Sequence, residues 1–521
     1  MRFSTIGAFT EHWARETPGR TALVFGDARV PYAALHEQVL RCVAALRAAG
    51  IGPGDRVGHM GLNHPDYVVL MQAAARVGAV LAPVNWRLVA TEVAWILQDA
   101  GIRLLLADSA FLPVIEAAAG ETGIERILLT DAARDGEPDF AHWVAAHEPD
   151  PVAVAAAPDD VVLQLYTSGT TGFPKGALLT HRSLLGTIEK GALTGEDWSR
   201  WDEDDVALVA MPLFHIGGTG WALHALEAGA TAVILARPDI EAIIETIEAE
   251  RVTKAFAVPA VLNMIIHHPR AKTADLSSMT ELLYGASPIP LEVLKGAMAT
   301  FANARFIQCY GATETSGTVV YLPPSDHDVA GNRRMRGCGK PFPGNEVRIV
   351  DAELRGLPPG EVGEIAVKSV SVMKGYHNNP EATAKAIRDG WYLTGDAGWM
   401  DEDGYLTIQD RVKDMIVSGA ENIYPAEVEN ALAAHPAVRD SAVIGVPDAK
   451  WGEAVKAIVV LKEGASATAE DLIAHCRRHI AGYKCPKSVD FVSELPRNPS
   501  GKILKKELRK PYWEGRERQV A

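Results

Sequence analysis

Eleven consecutive residues, Tyr166-Thr167-Ser168-Gly169-Thr170-Thr171-Gly172-Phe173-Pro174-Lys175-Gly176, concentrate the groups that hold a polyphosphate. Their glycines permit tight turns and bring backbone N–H groups close to an anion. The hydroxyls of Thr167, Ser168, Thr170 and Thr171 add rotatable donors, and Lys175 adds a positive charge. A strand-like apolar run over 161–166 leads straight into this loop. The string is not a P-loop, because Gly176 stands where G-x-x-x-x-G-K-[ST] needs a hydroxyl.

Further along, Tyr310-Gly311-Ala312-Thr313-Glu314-Thr315 offers a ring to stack on adenine, a hydroxyl to reach a phosphate and a carboxylate to hold magnesium. Magnesium takes oxygen ligands and commonly one carboxylate plus substrate phosphates. In Tyr284-Gly285-Ala286-Ser287-Pro288 a glycine would let a purine approach the backbone. Thr394-Gly395-Asp396 supplies a carboxylate able to accept hydrogen bonds from both ribose hydroxyls. Near the end, Lys502 follows Ser500-Gly501. A lysine on such a loop can bridge a carboxylate and an α-phosphate and stabilise transition-state charge. Taken singly, most of these strings suit an ordinary turn or a solvated charge run; their order along one chain is what gives them weight.

The set resembles the adenylate-forming superfamily of acyl-CoA synthetases, peptide-synthetase adenylation domains and luciferases. The resemblance covers nearly the whole chain and is closest to fatty-acyl-CoA synthetases and their aryl-acid relatives. It implies ATP and coenzyme A as co-substrates, Mg²⁺ at Glu314, and an acyl-adenylate intermediate. It places ATP or AMP against Thr167, Ser168, Gly169, Thr170, Thr171, Lys175, Gly285, Ala286, Ser287, Tyr310, Gly311, Thr313, Asp396, Arg411 and Lys502. Lys502, Glu314 and Thr313 are then the catalytic group, with Lys413 as the pivot of a hinge at Asp410-Arg411-Val412-Lys413-Asp414. Many relatives carry Asp at that pivot. Gly419, Ala420, Glu421 and Asn422 resemble the loop that meets coenzyme A, although relatives more often read G-G-E-N. His215, in Pro212-Leu213-Phe214-His215-Ile216-Gly217-Gly218, stands where the family places an aromatic residue beside the acyl carboxylate. Trp221, Tyr284, Gln308 and Cys309 are the expected acyl-pocket walls. Cys309 replaces a glycine of many fatty-acyl relatives, which favours medium-chain, branched or ring-bearing acids.

Two rival readings fit less well. An amino-acid adenylation module usually carries an Asp after the aromatic of the His215 region, and none is present there. A catalytically silent nucleotide-binding protein would have little reason to keep Lys175, Glu314, Asp396, Arg411 and Lys502 together. An aryl-acid CoA ligase is the nearest alternative to a fatty-acid one.

These groups need a large scaffold. The 521 residues exceed a single simple core, and 48% hydrophobic residues suffice for a large buried one. A formal net charge of -15 argues against general affinity for nucleic acid. Five cysteines, Cys42, Cys309, Cys338, Cys476 and Cys485, form no C-x-x-C pair, which fits a reducing cytoplasm. No apolar run approaches the roughly 18–20 residues of a membrane span; peripheral membrane contact and a homodimer stay open. Apolar periodicity predicts helices over 35–49, 67–77 and 240–250 and strands over 56–60, 206–211, 231–235, 255–258, 282–284 and 305–308. Residues 131–158 read as a surface connection. Short strands over 346–350 and 363–367 read as a small β unit. The last stretch alternates helices over 426–434 and 469–480 with strands over 441–446, 454–461 and 489–492. The expected architecture is a large multi-subdomain α/β N-terminal domain, 1–410, with a small β unit, a hinge at 411–413, and a small mobile α+β C-terminal domain, 414–521.

Overall fold

The computed structural model describes residues 2–118, 120, 122–167, 174–411, 414–418, 421–448, 451–497 and 503–514. The chain is a mixed α/β protein that divides into two compact units, Met1–Val347 with Val367–Tyr392, and Arg348–Ala366 with Leu393–Ala521. The chain passes from one unit to the other within strands Glu346–Val350, Gly363–Lys368 and Trp391–Met400. This division groups 393–410 with the second unit, and the expected hinge at 411–413 falls inside it; residues 412 and 413 lie outside the described residues.

The first unit is built on two sheets. One runs Lys340–Pro341, Gly317–Leu322, Arg305–Ala312, Glu281–Gly285, Lys254–Ala257, Val206–Val209, Thr231–Ile234, Thr21–Phe25 and Ala28–Pro31 in spatial order. Its middle strands are parallel, as expected where strands alternate with crossover helices. The other sheet runs Gly375–Tyr376, Lys175–Thr180, Val161–Thr167, Val80–Pro83, Arg56–Met60, Ile102–Ala107 and Arg126–Leu129. Apolar side chains between helices and sheets close one large core around Tyr32, Tyr67, Phe9 and Phe140.

Local chemistry sets the helix ends. Pro65 opens helix Pro65–Val77 and Gly78 closes it at φ 76°, the left-handed end that glycine favours. Thr180 and Ser183 form a capping box at the start of His181–Leu193. Within 131–158, expected to be only a connection, Asp139 accepts from the His142 amide and starts a short helix, Phe140–Ala145. Phe140, Trp143 and Val144 share its buried face, an i, i+3, i+4 pattern too brief to register as a helix period.

In the second unit, Trp391–Met400 pairs antiparallel with Leu406–Arg411 across residues 396–400. A second sheet orders Glu421–Ile423, Ile416–Ser418, Gly452–Leu461 and Val438–Asp448, with Ser488–Phe491 parallel to Gly452–Leu461. Helices Pro425–Ala433 and Ala469–His479 cover it around Val428, Leu432, Val443, Val459 and Leu472. Among the described residues no helix is long and apolar enough to cross a membrane.

Candidate active site

The phosphate-loop string is the connection of a β-hairpin. Strands Val161–Thr167 and Lys175–Thr180 pair antiparallel, with Thr167 opposite Lys175 and Tyr166 opposite Gly176. Residues Ser168 to Phe173, including Gly169, Thr170 and Thr171, lie outside the described residues. The hairpin stem is tied down on every side. The Tyr166 hydroxyl donates to Asp99 Oδ2 at 2.6 Å and accepts from Gln164 Nε2 at 2.8 Å. Trp95 Nε1 donates to the Pro174 carbonyl at 3.2 Å, and the His377 amide donates to the Gly176 carbonyl at 2.7 Å. These contacts fix where the connection between the two strands starts and stops.

Glu314 is brought to this stem. It sits in the 3₁₀ turn Thr313–Thr315 that follows strand Arg305–Ala312, and is 9% exposed. Its Oε1 accepts from Thr167 Oγ1 at 3.2 Å and from the Tyr376 hydroxyl at 2.9 Å. The Met373 amide donates to the Glu314 carbonyl at 2.8 Å. Lys175 Nζ lies 5.3 Å from the Tyr376 ring centroid. Burial first, then the neighbouring Glu314 carboxylate, raises the Tyr376 pKa and keeps its hydroxyl a donor. Tyr376 and Met373 were not singled out from sequence, since no spacing ties 376 to 314; only the fold joins them.

Oxygen ligands dominate here. Among the described residues no three His, Cys, Asp or Glu side chains gather as a metal site. A single held carboxylate beside a phosphate loop suits a magnesium ion that takes most of its ligands from phosphate and water.

The nucleotide-facing candidates cluster at the carboxyl ends of the parallel strands. Gly285 pairs with Cys309 of the next strand. A Cβ on Gly285 would lie 2.1 Å from the Cys309 carbonyl oxygen, so the neighbouring backbone alone excludes a side chain there. Ala286 follows at φ 66°, a costly conformation for a residue with a Cβ. Ala286, Ser287 and Gly311 are exposed, and Tyr310 and Thr313 are half-buried.

The expected pocket walls divide between the two faces of one sheet. Tyr284 is fully buried and its hydroxyl meets His327 Nε2 at 2.9 Å. Phe306 packs on the same His327 ring, and Gln308 Nε2 reaches Cys338 Sγ. Cys309, one residue on, packs instead with Trp198, Ile307 and Phe342, against half-buried Phe256, Leu283 and Tyr321. Alternation along a strand causes the split: Cys309 shares its face with Leu283, not with Tyr284 or Gln308. Burial pushes the Cys309 thiol up to about 12, keeping it a neutral packing group. His215 is the N-cap of helix Ile216–Ala228, which carries Trp221. Burial, then the Arg87 charge, lowers His215 to about 4, so the ring is neutral near pH 7. An apolar cavity lined by Leu208, Ala210, Ala255, Val261 and Leu282 lies on the other face of the sheet. No polar side chain enters it, and the site chemistry is elsewhere.

In the second unit, Asp396 pairs with Arg411 across adjacent strands. The Asp396 amide donates to Thr394 Oγ1 at 3.1 Å, the Thr394 hydroxyl to the Ile365 carbonyl at 2.8 Å, and the Gly395 amide to Glu364 Oε1 at 2.9 Å. The T-G-D turn is therefore a fixed platform. Lys413, Gly419, Ala420 and Lys502 lie outside the described residues, and Glu421 and Asn422 enter strand Glu421–Ile423. The stem of the Lys502 loop is described: Arg497 pairs with Ile503, and the Leu504 amide donates to the Pro496 carbonyl at 2.8 Å.

Residues 10–377 match the model of the AMP-binding enzyme family, and residues 427–502 that of the AMP-binding enzyme C-terminal domain. The chain belongs to the AMP-binding enzymes. This adenylate-forming superfamily membership, together with relatives that are CoA and acyl-carrier-protein ligases, makes it an enzyme of the acid–thiol ligase class. It is 41% identical to a fatty acid–[acyl-carrier-protein] ligase, ScoC, of Streptomyces coeruleorubidus, covering 100% of this chain and 98% of the relative. It is also 41% identical to a feruloyl-CoA synthase of Amycolatopsis sp, covering 98% of this chain and 100% of that one. ATP-bound MatB from Rhodopseudomonas palustris superposes with a TM-score of 0.88 at 31% identity, over 98% of this chain and 99% of MatB. The large N-terminal and small C-terminal α/β layout is that of this AMP-binding family.

Proposed function

We propose that this AMP-binding enzyme is an acyl-CoA synthetase, joining a carboxylic acid to coenzyme A with ATP cleaved to AMP and pyrophosphate. The observation that carries the reading is the Glu314 carboxylate, held by Thr167 and Tyr376 at the mouth of the phosphate hairpin.

In the first half-reaction a carboxylate oxygen attacks the α-phosphorus, the bond to the β-phosphate oxygen breaks, and pyrophosphate leaves. Thr167, Ser168, Gly169, Thr170, Thr171 and Lys175 hold the phosphates. Tyr310 stacks on adenine beside Gly285, Ala286, Ser287 and Gly311, and Asp396 and Arg411 hold the ribose. Thr313 and Lys502 bind the α-phosphate and stabilise the developing charge, so catalysis is largely positioning and electrostatics. Glu314 would hold Mg²⁺, which supplies charge neutralisation at the phosphates. In the second half-reaction the thiolate of coenzyme A attacks the acyl carbon, and the bond to AMP breaks. Lys413 is the pivot that lets domain 414–521 turn relative to 1–410, bringing Gly419, Ala420, Glu421 and Asn422 towards coenzyme A.

Ring-bearing, branched or medium-chain acids are favoured over long straight chains, because Cys309, Phe256 and Leu283 occupy the sheet face beside Trp221. The likeness to a feruloyl-CoA synthase supports the ring-bearing branch. We place the enzyme in the cytoplasm, where five buried cysteines that form no disulfide stay reduced. AMP release across a panel of acids, with coenzyme A or with a phosphopantetheinylated carrier protein, tests the reading. Acid-dependent AMP and acyl-CoA formation supports it. Turnover with the carrier protein alone would move the chain to the reaction in the ScoC name, and no acid-dependent AMP at all would remove the ligase assignment.

A further inference from the structure

Among the buried polar atoms of the first unit that have no hydrogen-bond partner are Trp221 Nε1 and His215 Nε2, both carried by helix Ile216–Ala228 and its N-cap. Trp221 is 7% exposed. A buried donor left unpaired is costly, and in a native structure it calls for an explanation. His215 has one in the acid carboxylate proposed beside it. Trp221 has none so far.

The surroundings of the indole define what could pair with it. Gly217, Trp221 and His224 share one helix face at i, i+4 and i+7. A Cβ on Gly217 would come 2.9 Å from the Phe256 ring, and the Trp221 and Phe256 rings are centred 6.3 Å apart. That helix face therefore looks onto the sheet face carrying Phe256, Leu283 and Cys309, where Phe256 pairs in register with Leu283 and Gly285 with Cys309. Gly217, Phe256 and Leu283 are only half-buried in the middle of this layer, which marks an open cleft between helix and sheet. Deeper along the helix the space is filled. Trp201 packs edge-on against Trp221 at 4.8 Å and stacks on His224 at 4.3 Å, and Lys254 Nζ lies 5.3 Å from the far Trp201 ring.

Length now limits the ligand. Residues 215 and 221 are separated by at most about 9 Å along the axis, from a rise of about 1.5 Å per residue. The indole leans back towards the helix start, shortening the gap further. One ring with a short link to the carboxylate spans it, and a long alkyl chain overruns it into Trp201.

We propose that Trp221 is a specificity-determining residue: its indole N–H donates to an oxygen on the far side of a ring-bearing carboxylic acid bound between this helix and the Phe256–Cys309 sheet face. The inference rests on the ligase reading above and deepens it. It accounts for a buried indole N–H without a partner beside an apolar, aromatic layer, since flat rings pack on aromatic walls and one placed polar group sets orientation.

The test uses the full chain and paired acids: benzoate, phenylacetate and cinnamate, each with and without a para oxygen. Wild-type enzyme is expected to favour the oxygenated partner of at least one pair by about tenfold in kcat/KM, the effect of one hydrogen bond. Trp221→Phe keeps a ring and removes the donor, and should bring that ratio to near one. A merely structural tryptophan would change both members of a pair together and leave the ratio untouched. Equal turnover within every pair by wild type, which needs no variant, overturns the inference while leaving the ligase reading intact. So does a preference that persists in Trp221→Phe. Absence of AMP formation with every acid, aliphatic ones included, overturns both.

Discussion

The Tyr376 hydroxyl donates to Glu314 Oε1 at 2.9 Å, joining residues 62 positions apart in sequence. Two donors on one carboxylate oxygen fix its rotamer and orient the group for a cation and phosphates. Tyr376→Phe removes one of them while keeping the ring beside Lys175. A hydrogen bond to a charged group is worth roughly 1.5–3 kcal/mol, so kcat should fall at least tenfold and the Mg²⁺ concentration for half-maximal rate should rise. Titration of AMP formation against Mg²⁺ checks this. A rate and metal dependence like wild type would show that Thr167 alone suffices.

Lys502→Ala should slow adenylation and largely spare thioester formation from supplied acyl-adenylate, because the lysine is assigned to the α-phosphate step. Lys413→Pro should do the reverse, since proline fixes φ near -65° and restricts a pivot. Separate assays of pyrophosphate release and acyl-adenylate consumption check both. Equal loss of the two half-reactions in folded Lys502→Ala contradicts its assignment.

Cys309→Gly should widen the cleft on the side of Trp198 and Phe342. Each added methylene that becomes buried contributes about 0.8 kcal/mol at most, so room for two would raise kcat/KM for the longer acid roughly tenfold over the shorter. A homologous series of acids measures it, and a chain-length profile that does not move removes residue 309 from the pocket.

His181 gives a pH signature. It is 2% exposed, and its Nδ1 accepts from the Ile6 amide at 3.2 Å, which requires an unprotonated Nδ1. Burial lowers its pKa from 6.5 to about 4. The unfolded chain therefore binds more protons between those values. This contribution to stability is fully present above about pH 6.5 and is lost as the pH falls towards 4. It amounts to no more than about 3 kcal/mol. Denaturant unfolding at pH 7 and pH 5 should show a loss that His181→Asn, which retains a short acceptor but does not titrate, makes smaller. An unchanged pH slope in that variant would assign the loss elsewhere.

Much of the framework around this candidate site was legible in the sequence because its parts are local. The strand over 161–166 emerges as one arm of a hairpin with Thr167 opposite Lys175, and the strand over 56–60 is found as Arg56–Met60. Such features follow from composition and apolar runs within a dozen residues. Two kinds of information were not local. Tyr376 reaches Glu314 through the pairing of Gly375–Tyr376 with Ala177 and Leu178, and nothing near 376 encodes that pairing. The facing of Tyr284, Gln308 and Cys309 follows from strand phase, and an apolar run gives the existence of a buried strand without its phase. Gly285 shows a third limit: its missing side chain answers to the Cys309 carbonyl, although a purine would have explained it equally well from sequence.

Strand phase between residues 305 and 312 also governs how freely the enzyme can diverge. Ile307 and Cys309 pack on the face of Phe256 and Leu283, while Phe306 and Gln308 pack beneath the sheet around His327 and Cys338. On the proposed acyl pocket, changes of substrate and losses of folding stability would thus fall on interleaved but separate positions of one strand. If Cys309 lines the acyl pocket as proposed, exchange at 309 would retune the acid while the layer behind it keeps its partners, whereas position 285 is closed to any such exchange by the backbone beside it. A lineage adapting to a new acid would accumulate differences at alternate residues and stay uniform between them.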